Sequence, residues 1–99
     1  MKSRMMYIER KSDGLIGPAR IGRVTFPQSD KTVYYRGQEF RSLKGRGFKA
    51  NYYDVATGEE YWISGPKGNG ADHLYGKRNH AQVDEDVREE YLATIRKRA

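Results

Sequence analysis

The chain has 99 residues, enough for one domain with a modest core, and carries a net charge of +6. Charged residues reach 32%, yet eight Tyr, three Phe and one Trp bring enough burial area to exclude a wholly disordered polymer. With no cysteine there is no disulfide framework or thiolate zinc site, and no apolar run nears the roughly 20 residues of a membrane-spanning helix.

From the N-terminus, residues 4–10, RMMYIER, read as a first strand, and KSDGLIGP as a loop ending at Pro18. The opening MKSRMMYIER has no apolar stretch after its early charges, so a secretory signal is not expected and a cytoplasmic location is. ARIGRVTF, residues 19–26, alternates Arg23 and Thr25 outward with Val24 and Phe26 inward. Ile21 has the opposite parity to Val24, so a bulge at Gly22 is expected to bring both to one face. After the polar break at Pro27–Asp30, Thr32 to Tyr35 have strand character, and Gly37 permits a tight turn, making 31–43 a hairpin. Lys44 to Lys49 form a basic glycine loop.

The hairpin KANYYDVATGEEYWISG is the strongest structural signal, with arms at residues 51–54 and 60–64. Gly58 suits a left-handed turn position, and Asp54 can accept from nearby backbone donors. Tyr61 and Ile63 share one face, which puts Trp62 on the other together with Tyr52. Trp62 reads first as an anchor under the C-terminal helix and second as an exposed recognition platform. Residues 65–80 form a long loop with four Gly and one Pro. Residues 84–98 read as a helix capped by Asp84, with Asp84 and Arg88 paired and Val87, Tyr91, Leu92 and Ile95 as its apolar stripe. The sum is a single domain over 1–99, mainly β: a small antiparallel SH3-like barrel or bent sheet of about five strands with one C-terminal helix, an OB-like arrangement being second.

Charge is divided unequally. Residues 1–49 hold 12 Lys/Arg against four Asp/Glu, a balance of +8, and residues 50–99 hold seven against nine, a balance of −2. Arg20, Arg23, Arg36, Arg41, Lys44, Arg46 and Lys49 are interleaved with Tyr34, Phe48, Tyr52 and Tyr53, and Lys67, Lys77 and Arg78 follow in the long loop. Cations beside aromatic faces suit phosphate contact with base stacking, so a basic–aromatic nucleic-acid face is the leading expectation. The same residues also serve as core tyrosines and solvated edge charges.

Other chemistries find less support. Gly45 to Ala50 match GxGxxA, but a strand pattern follows where a dinucleotide site needs a helix. The 65–80 loop does not contain the phosphate-loop pattern. His73 and His80, seven residues apart with no clear third ligand, are weak as a metal site or acid–base pair, and Ser64, Asp72 and His73 form a triad only by composition. Glu59 and Glu60 alternate across a strand and do not pair as catalytic carboxylates. No cofactor is expected. A protein-interaction or homodimer module is the second reading, and a small enzyme using His73 and the 65–80 loop the third.

The segments GPARIGRVTF (17–26), YYRG (34–37), SLKG (42–45), FKANYYD (48–54), TGEEYWISGPK (57–67) and DEDVREEY (84–91) resemble those of a group of small bacterial proteins. The resemblance covers most of the chain from Gly17 onward. It implies a small soluble bacterial domain, carries over no catalytic residue, and leaves residues 1–16 as a variable extension.

Overall fold

The computed structural model describes residues 2–11, 18–28, 31–45, 50–65 and 82–95. Strands β1 (Lys2–Arg10), β2 (Ala19–Phe26), β3 (Thr32–Tyr35), β4 (Gln38–Ser42), β5 (Tyr52–Asp54) and β6 (Glu60–Ser64) follow one another antiparallel. β6 returns to β1, which also pairs with β2, so the six strands close into an SH3-like barrel. A two-residue strand, β7 (Gln82–Val83), adds parallel to β2 at Arg20 and Ile21. The chain then winds through one short C-terminal helix, with a 3₁₀ turn at Glu85–Val87, an α turn at Arg88–Glu90 and a wider turn at Tyr91–Ile95. Residues 2–10 of the supposed N-terminal extension are thus the longest strand of the barrel.

Alternation along the strands sorts side chains into two apolar clusters. Inside the barrel lie Ile8, Val24, Phe26, Val33, Tyr35, Phe40, Tyr52 and Ile63, with Met6 and Tyr61 packed against them. Phe40 and Tyr61 meet edge to face at 4.7 Å. On the outer surface Tyr7, Ile21, Val87 and Tyr91 form a second cluster under the C-terminal helix, joined by Met5, Ala19, Trp62 and Val83. Outer-face packing corrects the expected bulge. β1 and β2 stay in continuous register from Lys2↔Phe26 to Glu9↔Ala19, and Ile21 faces outward because the helix covers it there. Trp62 is half-buried in this outer cluster, its expected place. Tyr52 does not accompany it: the residue stands opposite Tyr61 and points into the barrel.

Local chemistry sets the turns. Arg36 and Gly37, at φ 51° and 81°, make the two-residue turn between Tyr35 and Gln38, whose paired positive φ values match the right-handed twist of the hairpin. Gly58 takes φ 79° in the β5–β6 turn, while the Ala56 N–H donates to Asp54 Oδ1 at 2.8 Å. Just before β5, Asn51 acts as a side-chain rung: Ile63 N–H donates to its Oδ1 and its Nδ2 donates to the Ile63 carbonyl, both at 2.8 Å. A buried ion pair supports β1, with Lys11 Nζ 2.9 Å from Glu9 Oε2 and both side chains fully enclosed. Tyr7 donates its hydroxyl to Glu9 Oε1 at 2.7 Å. Among the described residues no helix is long and apolar enough to cross a membrane.

Candidate functional site

The site is organised by one buried carboxylate. Asp84 follows β7, and its N–H donates to the Ile21 carbonyl at 2.8 Å. Its Oδ2 accepts from the Tyr35 hydroxyl at 2.6 Å and its Oδ1 from Arg20 Nε at 2.7 Å. Only Gly22 lets these groups meet, since a Cβ there would fall 2.5 Å from both Asp84 Oδ2 and Tyr35 Cε1. The expected helix cap is therefore corrected: Asp84 makes no side-chain cap bond, because its oxygens are turned toward β2 and β3. Its predicted partner Arg88 is replaced by Arg20. Asp84 raises the Arg20 pKa, chiefly through that hydrogen bond.

Burial, then the bond to Asp84, pushes the Tyr35 hydroxyl up to about 12 from 10.0. The folded state therefore keeps this proton when the unfolded chain has begun to lose it. Tyr35 contributes stability that is fully present below about pH 10 and disappears as pH rises toward about 12. Urea midpoints stepped through that window should fall, and Tyr35→Phe should remove this component of the decline.

Above this pin lies an open groove of about 500 Å³. Arg20, Arg36 and Arg88 line it with Gln82, Val83, Glu85 and Leu92. Arg20 Nη1 donates to Gln82 Oε1 at 2.9 Å, so Asp84 and Gln82 together fix the guanidinium. Arg36 stands over the Tyr35 ring at 5.9 Å, its side chain 58% exposed and its Nη1 3.9 Å from Asp84. Arg88 makes no ion pair among the described residues. Among the described residues three cations thus face Glu85 and the submerged Asp84, an excess of one positive charge. Guanidinium groups held this way suit a phosphate or carboxylate oxygen.

The remaining predicted site residues separate. Arg23 projects outward from β2 and pairs with Glu90 on the helix. Arg41 on β4 pairs with Glu39 at 3.2 Å, and Lys44 is exposed beyond β4 at φ 55°. Tyr52 is only 9% exposed, so its expected place on a stacking face is corrected. Arg46, Phe48, Lys49, Lys67, Lys77 and Arg78 lie outside the described residues, as do His73 and His80. Among the described residues the most exposed aromatic is Tyr34, 41% exposed on β3. Leu92, expected in the apolar stripe, is 51% exposed at the groove, whereas Val87 and Tyr91 turn inward. Arg88 was legible only as a helix partner for Asp84; the crossover that brings it to Arg20 leaves no local trace. The chain matches no family model, no curated protein and no solved structure.

Proposed function

We propose that this domain is a non-catalytic module that binds nucleic acid through the phosphate backbone, at the groove of Arg20, Arg36 and Arg88. The supporting observation is Arg36. It occupies the first position of a tight turn at φ 51°, where Asn or Gly is the less costly residue, and it carries an exposed guanidinium into that groove. Keeping a guanidinium at this left-handed position supports a role for the Arg36 side chain in the groove. Asp84 and Gln82 hold Arg20 in place, so less side-chain freedom is lost on binding.

Anisotropy of a labelled oligonucleotide titrated at stepped salt tests the proposal. Affinity should fall steeply with salt, and the double substitution Arg36→Asn with Arg88→Gln should flatten the log–log slope by roughly 1–2. Arg36→Asn alone should raise stability by about 0.5 kcal/mol while weakening binding, since it relieves the turn and removes a cation. Salt-insensitive binding, or none at low salt, would remove the proposal. A concentration-dependent dimer without oligonucleotide binding would instead favour a module for contact with itself.

A further inference from the structure

We infer that the nucleic acid is single-stranded and that one unpaired base stacks on Tyr34, in a niche on the outer face of the β3–β4 hairpin. This rests on the backbone-binding reading and adds the substrate class. Pro27, Gln28, Thr32, Tyr34, Glu39 and Arg41 line the niche, which holds about 300 Å³, room for a flat heterocycle with water.

Strand pairing makes the ring accessible. Tyr34 lies between Thr25 on β2 and Glu39 on β4, and neither flanking residue is aromatic. No aromatic or helical cover over it is found among the described residues, and the ring remains 41% exposed. Among the described residues the C-terminal helix packs over Tyr7 and Ile21, and none of its residues lines the niche. Stacking needs an aromatic face open to solvent, and every base supplies the matching π surface.

Polar groups surround the ring. Arg41 Nε donates to Glu39 Oε2 at 3.2 Å, with the side chains 57% and 33% exposed. A cationic donor and an anionic acceptor therefore stand side by side, the combination that can meet the mixed edge of an unpaired base. The Gln28 amide and Thr32 hydroxyl add neutral partners. A duplex buries these edges and ring faces in its own stack, so this chemistry is useful only to an unpaired base.

The niche and the groove share no lining residue and are linked through β3 and the turn that follows it. Tyr34 lies two residues before Arg36, a separation of about 7 Å at strand rise. A strand with its phosphate at Arg36 can therefore place an adjacent base at Tyr34. Charge complementarity selects the anion, and the open ring selects the single strand.

The test compares labelled single-stranded and duplex oligonucleotides of equal length against wild type, Tyr34→Ala, Tyr34→Phe and the Arg36→Asn/Arg88→Gln variant. Wild type should prefer the single strand. Tyr34→Ala should lose about tenfold on the single strand and little on the duplex, with an unchanged salt slope. Tyr34→Phe, which keeps the ring, should restore the affinity; the arginine variant should lower the slope for both ligands. If Tyr34→Ala leaves single-strand affinity intact, or weakens both ligands equally, the base niche is overturned while the backbone reading stands. If wild type binds neither oligonucleotide at low salt, both fail.

Discussion

Gly22→Ala is expected to destabilise the domain by about 3 kcal/mol, near the upper end of the cost of overpacking a core. For a domain of about 100 residues that corresponds to a melting temperature lower by roughly 15 °C. The added methyl would lie 2.5 Å from Asp84 Oδ2 and from Tyr35 Cε1, and 2.9 Å from the Tyr35 hydroxyl. None of these is the free end of a flexible chain: Tyr35 is packed in the barrel core and Asp84 is held by Arg20. β2 also cannot withdraw, because it pairs with β1 along eight successive positions. Thermal melts of Gly22→Ala, Tyr35→Leu and the double variant check the mechanism. The two losses should be strongly non-additive, since the smaller side chain vacates the space the methyl needs. Simple addition would place the cost of Gly22→Ala elsewhere.

Asp84→Ala should cost about 2–3 kcal/mol, mainly by leaving the buried Tyr35 hydroxyl without its acceptor. Arg20 adds little to the loss because its side chain is 38% exposed and water can replace the carboxylate. Adding Tyr35→Phe to Asp84→Ala should recover about 1 kcal/mol by deleting the orphaned hydroxyl. The same substitution affects the groove. Arg20 loses its anchor, so oligonucleotide binding should change even where folding is intact: the excess positive charge rises, while the guanidinium becomes less ordered. Denaturant midpoints and binding measured on the same samples separate the two effects. A stability loss below about 0.5 kcal/mol would show that Asp84 is not the pin that joins β7 to the barrel.

Several features were legible because their causes are local. The alternation of Arg23, Val24, Thr25 and Phe26 reports a half-buried strand, and the structure exposes the first while burying Val24 and Phe26. Gly37 and Gly58 mark turns because only a few residue types accept positive φ. Val87 and Tyr91 mark the helix face by their spacing of four. The strand count was less accessible. β7 is two residues long, and nothing in Gln82–Val83 distinguishes it from loop until Arg20 and Ile21 provide its pairing partners.

The candidate site was legible only in part. Arg20 and Arg36 stood out as cations, but their convergence with Arg88 depends on how β7 returns to β2. Arg23 and Arg41 were equally plausible by type, and the fold gives each a carboxylate partner. Tyr34, Tyr52 and Tyr53 looked equivalent as aromatic strand residues. Barrel closure separates them, sending Tyr52 inward opposite Tyr61 and leaving Tyr34 outside.

By itself, the sequence determined a small basic β domain with two hairpins and a terminal helix, because alternation, turn residues and helical spacing act over a few positions. Tertiary structure alone decided on which side of β2 Ile21 packs, which carboxylate holds Arg20, and which tyrosine meets solvent. Those outcomes join residues as far apart as Arg20 and Asp84, and they follow from barrel closure and the helix packed over its outer wall.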